Sequence, residues 1–320
     1  MLASMDTTLA TRPVFEHEAM LYSGRADFMA QTVPFIRDAV VTDRPILVAV
    51  DQRKIEELRD RLGEDASKVR FEEMGRIGRN PARIIPVWRA FVEKHEGAAH
   101  GARGIGEPIW AGRSPDELVE CERHEALLNL AFSSPPAAMR LICPYDTRSL
   151  PASVIAEARR NHPLIQEAGT SRPSPSYLGE VTIAKPFDAP LPAPAERPDE
   201  MPFDEQRLRD VRVFVTAQAS ARGVSRGRIR DLVLAVNEAV TNSIRYGGGS
   251  GLLWAWSQDG KMLCEVRDQG LIDRPLAGRV KPDPAQPSGY GLWLANQLCD
   301  LVQVRTSTSG SSIRLHMSTE

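Results

Sequence analysis

Four short groups in the last third of the chain carry the residue types that handle a nucleotide. Glu238 and Asn242 stand four apart in a helical segment, so their side chains lie one above the other. They sit opposite an apolar stripe of Ile229, Val233, Val236 and Val240. One face of that helix therefore packs inward while the other presents a carboxylate beside an amide. Asp268-Gln269-Gly270 ends a strand-like run; the aspartate can accept a hydrogen bond from an exocyclic amine, and the glycine lets backbone approach a flat ring. Ser288-Gly289-Tyr290-Gly291-Leu292 opens a helix, where free backbone N–H groups and the helix dipole favour phosphate. Gly310-Ser311-Ser312 turns the last hairpin. Each group alone has an ordinary reading, as a solvated face, a turn or a flexible loop. Their order along the chain is what points to one site.

The elements that must position these groups can be read from pattern. Phe203 to Ser220 is a helix, and Ser225 caps a second helix that runs to Tyr246 and stops at Gly247-Gly248-Gly249. Leu252 to Ser257 and Met262 to Arg267 are strands about a turn at Asp259-Gly260. Leu271 to Pro287 is loop, Tyr290 to Cys299 helix, and Leu301 to Ser307 with Ser312 to Met317 a closing hairpin. This is an α/β sandwich with helices on one face of a largely antiparallel sheet. The phosphate-loop pattern G-x-x-x-x-G-K-[ST] is absent from the sequence, which excludes that nucleotide-binding scheme.

In this order the groups resemble the GHKL (Bergerat-fold) ATPase superfamily, over residues 202–320. The resemblance implies ATP and Mg²⁺ as cofactors. It implies that Asn242 holds Mg²⁺ and that Glu238 acts as base or positions water. Asp268 and Gly270 would read adenine, and Gly289, Gly291 and Leu292 would lie on the phosphate side. Ser311 or Ser312 would place a hydroxyl near adenine. Mg²⁺ takes oxygen ligands and keeps several waters, so one amide oxygen and the phosphates suffice. Positioning and charge neutralisation are what phosphoryl transfer asks of a protein. Arg274, Arg279 and Lys281 lie in the loop expected to cover the nucleotide, where any of them could touch the γ-phosphate.

Within that superfamily, Gly289-YGLWLANQLCDLVQV-Arg305 is similar to the serine/threonine kinases that act as bacterial anti-sigma factors. That resemblance implies a sigma factor as one partner and a STAS-type antagonist, phosphorylated on serine or threonine, as the other. Such kinases commonly form homodimers. Two alternatives stay open. A histidine kinase would need a phosphoacceptor such as His124 or His162, although a proline-rich stretch stands where its helix hairpin belongs. A nucleotide-sensing binder without transfer activity would use the same motifs.

That proline-rich stretch, 169–201, includes Pro173, Pro175, Pro186, Pro190, Pro192, Pro194 and Pro198, and reads as a semi-extended linker with one short strand at Leu178 to Ile183. Before it, residues 13–168 alternate strand-like and helix-like runs, which favours a mostly parallel sheet covered by helices. The strands are Pro45 to Asp51, Val69 to Met74, Ala102 to Ile105 and Met139 to Cys143; the helices are Lys54 to Leu62, Pro81 to His95, and one capped by Ser114-Pro115-Asp116-Glu117 that reaches Phe132. The strings His17-EAMLY, Gly78-RNPARIIPVW, Gly104-IGEPIW, Glu120-CERHEALLNLAF and Cys143-PYD resemble the MEDS sensory family. That family is similar to RecA/KaiC-like α/β domains without a working phosphate loop, and the resemblance implies a small organic ligand. Candidate contacts are Glu107, Trp110, Tyr145 and Asp146, which follow strands, and Glu120 with His124, four apart on the capped helix. Arg79, Asn80 and Arg83 surround a helix start, and Trp88 reads as core.

Composition bounds the rest. A chain of 320 residues with 42% apolar content suits two globular domains, and residues 1–12 read as a tail. A net charge of -2 without a run of like charge points to neither nucleic acid nor an anionic membrane. No apolar stretch is long enough to span a bilayer and no secretion signal is visible, so a cytoplasmic location is expected. Cys121, Cys143, Cys264 and Cys299 form no C-x-x-C pair, which reads as buried thiols rather than a zinc site or disulfide scaffold.

Overall fold

The strand Ile46–Val50 is apolar at every position because helices cover both faces of its sheet: Leu47 and Ala49 enter one core, and Ile46, Val48 and Val50 the other. The computed structural model describes residues 14–98, 100–179, 181, 189–283 and 289–319. The expected tail, residues 1–12, lies outside them.

The N-terminal sheet contains β1 (Phe15–Tyr22), β2 (Ile46–Val50), β3 (Arg70–Glu73), β4 (Ala102–Gly106), β5 (Met139–Asp146), β6 (Leu164–Glu167) and β7 (Thr170–Pro173). Their order is β3-β2-β4-β5-β1-β6-β7, parallel throughout except for the β6–β7 pair. The connecting helices are α1 (Arg25–Val41), α2 (Gln52–Leu62), the short α3 (Met74–Ile77), α4 (Ile84–Lys94), α5 (Pro115–Ala131) and α6 (Ala152–Asn161). Helix α5 starts with the expected capping box, Ser114 and Glu117 each bonding the other's backbone N–H. The indole of Trp88 lies over β4. A Cβ on Gly104 would come within 2.7 Å of it and one on Gly106 within 2.9 Å, so glycine is needed at both positions.

The second sheet is antiparallel: β8 (Asp199–Asp204), β9 (Ser250–Gln258), β10 (Lys261–Asp268), β11 (Leu301–Ser307) and β12 (Gly310–Ser318), in the order β11-β12-β10-β9-β8. Helices α7 (Leu208–Ala221), α8 (Arg226–Tyr246) and α9 (Tyr290–Leu298) share one core with it. The opposite face mixes charged residues with Trp254, Trp256 and Leu263; Arg314 there donates to Glu265 at 2.6 Å and to the Pro192 carbonyl at 2.7 Å, which places Pro192 against it.

Several elements differ from expectation. Phe203 is a buried residue of β8, and the helix begins at Leu208, because Asp204 turns the chain by accepting from the Gln206 and Arg207 N–H groups. Ser225 occupies the start of α8 without a side-chain capping bond. Leu178 and Gly179 are not in a strand, and positions 180, 182 and 183 of that expected strand lie outside the described residues. The proline-rich stretch instead has β7 at its start and β8 at its end.

Because β4 leads directly to Glu107, its packing sets that carboxylate's position. Gly104→Val should overpack the Trp88 contact and lower stability by about 1–3 kcal/mol. An unchanged urea midpoint would contradict this packing.

Candidate functional site

Helix α8, the end of β10, the start of α9 and the start of β12 converge on a cavity of about 680 Å³, a size suited to a nucleotide-class ligand. Asn242, Asp268, Gly270, Gly289, Leu292 and Ser311 line it, along with Arg274 and Lys281 from the loop before α9. Asp268 is its best-held group. Oδ2 accepts from the Ser243 hydroxyl at 2.5 Å, and Oδ1 accepts from the Gly270 N–H at 2.7 Å and the Ser311 hydroxyl at 2.8 Å. A carboxylate has about four acceptor positions, so one on Oδ2 remains for a ligand donor. Backbone crowds the aspartate closely: a Cβ on Gly247 would fall 2.5 Å from its Cγ, and one on Gly310 only 2.1 Å from its carbonyl oxygen.

Glu238 is not among the cavity-lining residues, but it adjoins Asn242 under the first turn of α9. A Cβ on Gly291 would lie 2.8 Å from the Asn242 amide nitrogen and 3.1 Å from Glu238 Oε2. Glycine there lets the two helices close up. Gly289, with φ of 100°, takes a left-handed conformation that admits few other residues. The two candidate serines part company. Ser311 pairs with Asp268 across the ladder and faces the cavity, whereas Ser312 pairs with Arg267 and points to the other side of the sheet. Position 288 and residues 284–287 lie outside the described residues.

A second cavity, of about 630 Å³, opens beyond the carboxyl ends of the parallel strands and is lined by Tyr22, Asp51, Lys54, Glu73, Glu107, Trp110 and Asp146. Glu107 accepts from the Tyr22 hydroxyl at 2.6 Å and from Lys54 at 2.6 Å. Burial raises its carboxyl above the usual range against the opposing pull of Lys54. At the start of α1, Asp27 accepts from the Ser23 N–H at 2.7 Å and Asp146 from the Gly24 N–H at 3.1 Å. Carboxylates thus hold donors that a phosphate would otherwise use. Tyr145 is displaced from this group: it is buried and meets the His162 ring edge-on.

Residues 16–163 match the family profile of the MEDS domain (methanogen/methylotroph, DcmR sensory domain), and residues 201–317 match that of the histidine kinase-like ATPase domain. The chain joins a MEDS domain to a histidine kinase-like ATPase domain. A search of curated proteins gave no match. Among solved structures, the RsbU and RsbW domains of Rv1364c from Mycobacterium tuberculosis align at 19% identity and a TM-score of 0.29, covering 38% of this chain and 32% of that one. Acinetobacter baumannii histidine kinase AdeS aligns at 14% identity and a TM-score of 0.23, covering 39% and 70%.

The MEDS and ATPase domains meet through the loop between β10 and α9. Leu276 and Val280 of that loop pack on the MEDS core. Arg279, instead of facing the cavity, is buried and donates to Glu120 Oε2 at 2.5 Å; Arg305 donates to Oε1 at 2.8 Å, and Arg123 approaches to 3.5 Å. Burial would raise the Glu120 carboxyl, but the arginines outweigh it and hold it below the usual range. Glu120 is therefore an inter-domain anchor rather than a ligand contact. Asn80 and Arg83 also serve the junction. Asn80 bonds the Asn296 side chain at 2.9 Å, and Arg83 donates to the carbonyls of Asn296 at 2.7 Å and Cys299 at 2.8 Å. Those carbonyls close α9, where cations are favoured. Asn296 in turn donates to the Gly278 carbonyl at 3.0 Å, tying the loop to the same helix.

His124 is 1% exposed and His162 0%, so neither is presented as a phosphoacceptor. Burial, aided by Arg279 and other cations, pulls the His124 imidazole down to about 3, leaving it neutral. No helix among the described residues is long and apolar enough to cross a membrane.

The opposed serines give a direct test. Ser311→Ala removes one of three donors orienting Asp268 and should weaken nucleotide binding about tenfold, the effect of one charge-assisted hydrogen bond. Ser312→Ala should leave affinity unchanged. Equal effects in isothermal titration would refute the assignment of faces.

Proposed function

We propose that the chain is a sensory switch in which the MEDS domain controls an ATP- and Mg²⁺-dependent serine/threonine kinase module of the anti-sigma type. The observation that carries this reading is the convergence of Asn242, Asp268, Gly270, Gly289, Leu292 and Ser311 on one cavity. The residues fit the nucleotide. The remaining acceptor position on Asp268 suits the exocyclic amine of adenine, and the tight glycines around it admit a flat ring. Asn242 would supply an oxygen to Mg²⁺, and Arg274 and Lys281 would offset phosphate charge. Bound Mg²⁺-ATP supplies the transferable phosphoryl group. Glu238, beside Asn242, would accept the hydroxyl proton of a serine or threonine.

The similarity of Gly289 to Arg305 to anti-sigma kinases supports a sigma factor and a STAS-type antagonist as protein partners, with a homodimer as the working form and the cytoplasm as its place. The cavity bearing Lys54, Glu107, Trp110 and Asp146 is the proposed seat of a small organic signal. Its effect would reach the nucleotide through the Glu120 anchor, since Arg279 sits in the loop bordering the ATP cavity.

Asn242→Ala should abolish Mg²⁺-dependent ATP binding in a folded protein, whereas Glu238→Ala should retain binding and lose transfer to the antagonist. Calorimetry and a radiolabel transfer assay read the two effects. A folded wild-type protein that takes up no nucleotide in the presence of Mg²⁺ would sink the proposal. Acid-stable label on the antagonist separates serine or threonine phosphate from phosphohistidine.

The anchor is tested separately. Glu120→Gln leaves buried guanidinium groups without their counter-charge, a change costing about 3–5 kcal/mol. Hydrogen exchange should rise across 271–283 and at the end of α9; protection equal to wild type would show that Glu120 does not hold the loop.

A further inference from the structure

His17 on β1, Glu125 on α5, Cys143 on β5 and His162 at the end of α6 bring four donor atoms together inside the MEDS domain, each side chain fully buried. His17 Nε2 lies 3.1 Å from Glu125 Oε2 and 3.3 Å from Cys143 Sγ, and His162 Nε2 lies 3.4 Å from Glu125 Oε2. All four donors fall within 4.8 Å of one another. A tetrahedral zinc site, with bonds of about 2.0–2.3 Å, separates its donors by about 3.3–3.7 Å. The cluster is close to that size.

The hydrogen bonds around it settle which way the imidazoles face. Asn129 donates its Nδ2 to the Asn161 carbonyl at 2.8 Å, which turns Oδ1 toward His17 as an acceptor for Nδ1–H at 3.1 Å. His162 Nδ1–H donates to the Ala158 carbonyl at 2.8 Å. In their neutral form both rings therefore direct an Nε2 lone pair inward. That is the arrangement in which outer partners orient histidine ligands to a metal. Inside, the two lone pairs and a carboxylate face one another, and the Cys143 thiol brings the only proton. His162 Nε2 and Glu125 Oε1 are buried without a hydrogen-bond partner. Unpaired acceptors of this kind are costly, and a cation at their centre relieves them together. Phe15 stacked on His17 and Tyr145 edge-on to His162 keep the pocket apolar outside the donors.

We infer that His17, Glu125, Cys143 and His162 form a binding site for one divalent first-row metal ion, of which zinc best suits the two-imidazole, thiolate and carboxylate set. On loading, the Cys143 S–H bond breaks, the metal–sulfur bond forms and one proton leaves to solvent; no electron is transferred. The site needs a single thiolate, so the lack of a C-x-x-C pair does not oppose it.

Untagged full-length protein, stripped of metal and verified as folded by circular dichroism, is titrated with Co²⁺. One equivalent should bind, giving visible ligand-field bands of a four-coordinate ion and a near-ultraviolet sulfur-to-cobalt band, both erased by one equivalent of Zn²⁺. Cys143→Ser should lose the sulfur band, and His162→Gln should weaken Zn²⁺ binding at least about tenfold in competition with a chelator. Should either variant fail to fold, the wild-type spectrum decides alone, because the other three cysteines belong to no such cluster among the described residues. Uptake below one equivalent by folded wild-type protein, a spectrum without the sulfur band, or a sulfur band retained in Cys143→Ser overturns the inference.

Discussion

A carboxylate buried among guanidinium groups imposes the main constraint on this molecule. Glu120 belongs to the MEDS domain, while Arg279 and Arg305 belong to the ATPase domain and Arg123 to its own helix. Removing such charges from water is expensive, and the expense is recovered only when the partners are in contact. The two domains are thereby held in one register. Because Arg279 is part of the loop bordering the candidate cavity, that register also fixes one wall of it. Leu276 and Val280 add apolar contact to the same loop, and Asn296 fastens it to α9.

The ATPase domain was largely legible in the sequence, since its candidate site residues are tied to local features: four-residue spacing on α8, a strand end, and glycines at a helix start. Its strand pairing followed from Asp259-Gly260 and the closing hairpin. What pattern could not supply was the side of the sheet each hairpin serine faces, which depends on register; a shift of one residue would exchange Ser311 and Ser312. Nor could it show that Arg279, in the loop before α9, turns to a residue far away in sequence.

The MEDS domain was less legible. Strand β1 opens with Phe15-Glu16-His17-Glu18, charged residues that hide a central strand, although Glu18 is matched by Arg140 on the neighbouring β5 at 2.8 Å. Helix α1 contains Pro34, which obscures a helical pattern. Four-residue spacing puts Glu120 and His124 near one another on α5, yet one is buried at the domain junction and the other in the interior. The cluster of His17, Glu125, Cys143 and His162 draws one residue from each of four elements, so no spacing rule reveals it.

Strand β11 is the outer member of the second sheet, and such a border offers unpaired backbone groups to any incoming extended chain. Here the MEDS domain occupies part of it. Arg123 donates to the Val304 carbonyl at 2.9 Å, and the Arg305 side chain is anchored on Glu120. While the domains stay docked, that border is therefore partly closed to an incoming strand.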